Sequence, residues 1–347
     1  MKATRVVILL SLAVGLVAPA QEWTRFRGPN GAGLSEAKTI PTKWSAADFN
    51  WKVALPGAGH SSPVLWGERV FVTSCDEKAG KFFVFCLKAG DGSTLWKKEF
   101  PLTPSEKHNL NSFATSTPTV DADRVYVCRT EAERVTLCEL AHNGEQVWEK
   151  DLGPFTAQHG GGTSPILHDG MVIFPDEQSG ESFLIAMDVR TGETRWKTPR
   201  TSGAGSYSTP CVYQPKQGKA QLIFNSEVHG ISGLAPDTGK VIWEFDKAFD
   251  KRSVSSPVIA GEFIIGSCGS GGGGNFVVAV RPGNPTTGAK PERAYEVRRS
   301  APYVPTSVCA GDWLYLWSDA GIVSRVHAAT GEVKWQERAG GNFFSSP

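Results

Sequence analysis

The sequence shows almost no charge imbalance: 36 Lys plus Arg stand against 35 Asp plus Glu in 347 residues. That missing basic excess argues against a nucleic-acid partner, which calls for a cationic face. Cysteine is sparse, with seven residues at positions 75, 86, 128, 138, 211, 268 and 309. This is too few for a disulfide scaffold. No two have the separation of a zinc knuckle, so no metal site is expected. Most are read as small buried hydrophobes, and a bridge from Cys128 to Cys138 across one hairpin stays open. Past the N-terminus no helical apolar stripe is sustained over three turns. No Gly-x-Ser-x-Gly elbow stands at a strand-to-helix turn, and no Gly-Lys-Ser/Thr follows the glycine run 271–274, which reads as a tip between two strands. What the chain does have is 40% apolar residues, 38 Gly, 22 Pro and 11 Trp, a composition that folds and buries a large core.

The first 20 residues stand apart. Lys2 and Arg5 precede an apolar run from Val6 to Ala18 broken only by Ser11, and Ala18-Pro19-Ala20 offers small residues for cleavage. This is the pattern of a secretory signal peptide cut near Ala20. This run of 13 residues would rise ~20 Å as a helix, short of the ~30 Å hydrocarbon core, so a membrane anchor is not expected. The chain is therefore read as exported, to the periplasm or beyond, with no transmembrane segment.

Two anchors then recur. One is a hydroxyl pair before proline: Ser61-Ser62-Pro63, Ser116-Thr117-Pro118, Thr163-Ser164-Pro165, Ser208-Thr209-Pro210, Ser255-Ser256-Pro257, a degenerate Thr306-Ser307, and Ser345-Ser346-Pro347. The other is a glycine turn with tryptophan four residues on, giving Trp96, Trp148, Trp196, Trp243 and Trp335 at intervals of 52, 48, 47 and 92. The last interval is twice 46, so one copy, around 281–299, keeps its length and lacks its tryptophan. Each period holds four short β-favouring runs separated by Gly, Asp and Lys turns. Four strands per ~47 residues is the arithmetic of a propeller blade. One blade cannot cover both faces of its sheet, so the copies must pack on each other around an axis. The tryptophan, large and flat with one N–H to satisfy, is suited to dock between blades. The expected fold is all-β, a β-propeller over residues 50–347, with residues 21–49 as an N-terminal extension. Trp51 reads as an end-of-blade strand that would close the ring. About six blades are expected here, from a ring of eight whose C-terminal part is absent from this sequence.

The string Ala186-Met187-Asp188, then Thr191-Gly192-Glu193-Thr194-Arg195-Trp196, preceded by Thr163-Ser164-Pro165, resembles the pyrroloquinoline quinone (PQQ) enzyme repeat with its tryptophan-docking motif. Trp23-Thr24-Arg25-Phe26-Arg27-Gly28-Pro29-Asn30-Gly31 is similar to the opening of secreted PQQ-like propeller proteins. The resemblance implies an eight-bladed fold shared by quinoprotein alcohol dehydrogenases and by the propeller lipoprotein of the outer-membrane β-barrel assembly machinery. In the dehydrogenases it implies PQQ, a calcium or lanthanide ion, an aspartate base and two adjacent cysteines. This sequence has no adjacent cysteines and no Asp or Glu that aligns to the base, so the leading expectation is a non-catalytic binding or assembly scaffold without a cofactor. A PQQ- and calcium-dependent dehydrogenase acting on an alcohol or sugar is the alternative.

Loops that lead into the Ser/Thr-Pro strands should gather near the axis on one face, because each runs from the outermost strand of one blade to the innermost of the next. Their prominent side chains are His60, His108, His159, Tyr207, Arg252 and Tyr303. These form the candidate surface for a small ligand or a protein, bound by a monomer.

Overall fold

The computed structural model describes residues 22–38, 40–131 and 134–347. The expected signal peptide lies outside them. The described residues fold into six antiparallel sheets of four strands, each in simple consecutive order. In the first blade β1 is Val64–Trp66, β2 Arg69–Asp76, β3 Lys81–Lys88 and β4 Thr94–Pro101. Blades 2 to 6 follow at 119–151, 166–200, 211–245, 258–297 and 308–338. Among the described residues helix is confined to three single turns of three residues. The molecule is the all-β propeller that the repeat arithmetic predicts.

Alternation along the inner strands explains why the blades stack. In blade 2, Val125 and Val127 point into a cluster with Phe71, Val84 and Cys86 of blade 1. Their neighbours Tyr126 and Cys128 point the other way, against Val172, Phe174 and Ile185 of blade 3. Similar clusters join blade 3 to 4, 4 to 5 and 5 to 6. A strand covered on both faces loses the polar half of its pattern, which is why the inner strands read as continuous apolar runs. The same alternation answers the cysteine question. Cys128 pairs in register with Leu137, and Cys138 with Val127, so the two thiols lie on opposite faces of the sheet. All seven cysteines are free.

The hydroxyl pairs have a shared function in the structure. The Ser62 amide donates to Thr117 Oγ1 at 2.9 Å, the Thr117 amide to Ser164 Oγ at 2.9 Å, and the Ser164 amide to Thr209 Oγ1 at 3.3 Å. The ladder continues from Thr209 to Ser256 at 3.0 Å, from Ser256 to Thr306 at 3.1 Å and from Thr306 to Ser346 at 3.0 Å. Each blade thus satisfies a buried backbone donor of its neighbour. The ladder also sets the register of the degenerate copy: the innermost strand of blade 6, Val308–Ala310, follows Ser307, so Ser307 takes the proline position and Thr306 the bridging one.

The turn glycines and tryptophans meet across blade boundaries. Trp51, Trp96, Trp148 and Trp196 donate their indole N–H to Ala89 O, His142 O, Val189 O and Pro236 O of the following blade, at 2.8, 2.7, 3.1 and 2.8 Å. Their rings lie over Gly92, Gly144, Gly192 and Gly239, all at positive φ and each so close that a Cβ would fall within 3 Å of the indole. Trp243 differs: it lies over Gly283 but donates to Gln221 Oε1 of its own blade at 2.6 Å. Trp335 is 46% exposed. In the copy without tryptophan, Tyr295 covers Gly331 and its hydroxyl donates to Ala328 O at 2.6 Å.

Candidate functional site

Every inner strand is entered from the same end of the ring, so the loops before the hydroxyl pairs converge. They surround an axial cavity of about 2100 Å³ whose walls include His60, His108, His159, Tyr207, Arg252 and Tyr303. Among the described residues this is where the repeat brings side chains from successive blades onto one surface. The residues are not equally connected within it.

Four of the six form one group. The Arg252 guanidinium reaches His159 Nε2 through Nη1 at 2.5 Å and Gln158 Oε1 through Nη2 at 3.0 Å. Because that nitrogen faces a permanent donor, it is the acceptor, and the ring proton sits on Nδ1. The His108 ring meets His159 edge-on at 5.1 Å between centroids, and Tyr207 lies 6.2 Å away on another side. Burial first, then the Arg252 charge and His108, hold the His159 pKa below the ordinary histidine value. It is thus a neutral hydrogen-bonding group near neutral pH. His159 Nδ1, Tyr207 Oη and Arg252 Nε are buried and have no partner among the described residues. Asn111 braces the group from behind, its amide donating to His159 O at 2.7 Å and Gly161 O at 2.9 Å.

His60 and Tyr303 line the same cavity apart from this group. His60 is held through its backbone amide on Ala114 O at 2.9 Å. The loop carrying Tyr303 is held by Asp319, which accepts the Tyr303 and Val304 amides at 2.6 and 3.0 Å. Two contributors were not among the candidate site residues, although the sequence marks both. The glycine tip 271–274 folds over the wall, with Lys251 Nζ donating to Gly273 O at 2.7 Å. Trp23, Phe26 and Arg27 enter the lining from the N-terminal segment.

The acids of the wall are Glu227, Asp250 and Asp319, and no cysteine reaches it. Among the described residues no three His, Cys, Asp or Glu side chains gather as ligands for an ion. With Asp319 committed to two amides, this donor set does not fit the calcium-and-quinone pair that the resemblance implies. Asp176, a buried acid with its pKa pushed up to about 7 by burial, sits in blade 3 away from this wall.

Six repeat-built blades around an axial cavity define the class: a β-propeller with a ligand-sized depression at its hub. The chain belongs to the PQQ-like propeller family, since residues 81–337 match the family model described as outer membrane protein assembly factor BamB. It is similar to polyvinylalcohol dehydrogenase of Pseudomonas sp., at 22% identity over 260 residues, covering 61% of this chain and 39% of that relative. The chain therefore spans well under half of that enzyme's length. Among solved structures it is similar to BamB from Moraxella catarrhalis, at 16% identity and a TM-score of 0.62, over 85% of this chain and 79% of that one. It is also similar to quinohemoprotein alcohol dehydrogenase from Comamonas testosteroni, at 13% identity and a TM-score of 0.62, over 96% and 75%. At these identities the likeness is one of fold. Among the described residues no helix is long and apolar enough to cross a membrane.

Proposed function

We propose that this chain is an exported, monomeric propeller of the cell envelope that works as a non-catalytic binding scaffold, taking a protein segment or small ligand at the mouth of its axial cavity. The observation that carries this reading is the Arg252–His159–Tyr207 group, in which three buried polar atoms lack protein partners on the wall of a cavity. Buried donors and acceptors are nearly always satisfied by protein, water or ligand, so these three atoms are open to the polar groups of a bound partner. Trp96, Trp148, Trp196, Trp243 and Trp335 are read as docking residues that hold the blades which present the loops. The likeness to BamB, described as an assembly factor, supports the scaffold reading.

The dehydrogenase names among the similar proteins favour a second reading, PQQ-dependent oxidation of an alcohol or sugar. One experiment separates the two. Purified full-length protein is mixed with PQQ and Ca²⁺ and assayed for a quinone absorbance and dye-linked alcohol oxidation. In parallel, the wild type and a His159→Ala, Arg252→Ala variant are used as bait in an envelope fraction. The scaffold reading expects no turnover and a partner captured by the wild type alone. Turnover with PQQ overturns it, as does equal capture by both baits.

A further inference from the structure

The opening motif at residues 23–31 belongs to neither the repeat nor the loop cluster, and its position is unusual for an N-terminal extension. Glu22 caps the turn after β1, its carboxylate accepting the Gly67 amide at 3.0 and 3.1 Å. From there the segment runs into the channel. Trp23 O accepts the Leu65 amide and Thr24 O the Val120 amide, both at 2.8 Å. Thr24 O also accepts Thr119 Oγ1 at 3.1 Å. Asn30 pairs with Val212 through two bonds of 2.8 Å, one to its carbonyl and one from its amide. Arg25 donates to Pro210 O, and Arg27 to Ser307 O at 2.8 Å and Pro347 O at 3.2 Å.

These partners lie in or just before the innermost strands of blades 1, 2, 4 and 6, with Pro347 beyond blade 6. Innermost strands are sheet edges, and their channel-facing amides and carbonyls need partners as any edge does. The segment supplies them from inside, in the manner of a bound peptide. Its shape is built for the place. Arg27 and Asn30 adopt left-handed φ of 61° and 51°, a strain that non-glycine residues keep only when the surroundings fix it. A Cβ on Gly28 would fall 2.4 Å from the Trp23 ring, and one on Gly33 2.6 Å from the Arg27 guanidinium. Both guanidinium groups are buried on carbonyl oxygens with no acidic partner among the described residues, and burial lowers each pKa to about 10.

Direction follows from the strand order. The chain runs from Ser62, on the side of the His60 and His159 loops, into β1 at Val64 and leaves it for Gly67, where Glu22 sits. Trp23, Phe26 and Arg27 therefore approach the cavity from the end opposite those loops.

We propose that residues 22–33 are an internal peptide ligand of the propeller. The channel-facing edges of blades 1, 2, 4 and 6 form a peptide-binding site that reads the Arg25-x-Arg27 pair and Asn30. Its occupant fills the end of the channel opposite the His60 and His159 loops. This holds whatever the mouth binds.

The test uses the full chain first. In an Arg25→Gln, Arg27→Gln variant, hydrogen exchange at the Leu65 and Val120 amides should accelerate about tenfold or more, while Val127 and Ile173, deep in blades 2 and 3, stay protected. Unchanged exchange at Leu65 and Val120 overturns the proposal, and so does uniform acceleration at all four amides, which would mean general destabilisation. A second arm uses a chain beginning at residue 34 and a synthetic peptide of residues 22–33. The peptide should raise the melting temperature of the shortened chain, and the doubly substituted peptide should bind about tenfold or more weaker. Equal binding by the two peptides overturns the proposal. If the shortened chain does not fold, the exchange experiment decides alone.

Discussion

The Tyr295 hydroxyl donates to the Ala328 carbonyl at 2.6 Å, and the ring covers Gly331. It occupies the place that Trp51, Trp96, Trp148 and Trp196 take in other copies, where an indole N–H reaches a carbonyl of the next blade. What the boundary needs is a flat ring with a donor at its far end, and a phenol meets that need as an indole does. Tyr295→Phe keeps the ring and removes the donor, leaving the Ala328 carbonyl without that partner. The expected loss is about 1 kcal/mol, read from chemical denaturation, and Tyr295→Trp should lose less than Tyr295→Phe.

The hydroxyl ladder makes a similar demand at the hub. Thr117 is 1% exposed and its Oγ1 accepts the Ser62 amide at 2.9 Å. Thr117→Val preserves the shape and leaves the partly buried Ser62 N–H without its acceptor, an expected cost of about 1–2 kcal/mol. Serine at the same position keeps the acceptor and should lose no more than the small cost of one buried methyl group, about 1 kcal/mol. A Val variant as stable as the Ser variant would show that the ladder does not support the hub.

Much of this was legible in the sequence because the repeat is chemical as well as numerical. Glycine before tryptophan marks a positive-φ turn under a ring, and hydroxyl pairs mark the ladder, so blade count and strand order follow from spacing. Tyr295 was not legible, since no glycine stands four residues before it and the repeat is marked by tryptophan. The convergence of His60, His108, His159, Tyr207, Arg252 and Tyr303 on one cavity follows from topology, because every loop entering an inner strand shares one end of the axis. The Arg252–His159 contact spans 93 residues and depends on rotamers that spacing does not encode. The segment at residues 22–33 could not be placed at all, because nearly all its partners are backbone atoms, and any sequence supplies those.

Asp176 gives a pH dependence of stability with a definite sign. It is 1% exposed, one oxygen accepts Gln178 Nε2 at 3.1 Å and the other has no partner among the described residues. Burial raises its pKa to about 7, above the 3.8 of an unperturbed aspartate. A group with a raised folded pKa contributes its full stability below the unfolded value and loses it as pH rises through the folded one. Asp176→Asn cannot ionise. Relative to the variant, the wild type should therefore lose about 2–3 kcal/mol between pH 5 and pH 8, measured by urea denaturation at each pH. A pH-independent difference would show that Asp176 ionises as freely as an exposed acid.

At the candidate site the sign is opposite. The His159 pKa is depressed by burial and then by the Arg252 charge, so the stability it contributes is present above the ordinary histidine value and is lost as pH falls below it. Protonation would place two cations at the 2.5 Å contact between Arg252 and His159 Nε2, so acid should open this contact before the blades unfold. Arg252→Gln removes the charge but leaves an amide able to donate to the same nitrogen. The His159 pKa, followed by NMR on the ring proton signals, should rise in this variant toward the ordinary value. The part that remains depressed belongs to burial, which the substitution leaves in place. An unchanged titration would mean that Arg252 does not touch His159 in solution. A rise would establish the contact on which the proposed binding group depends.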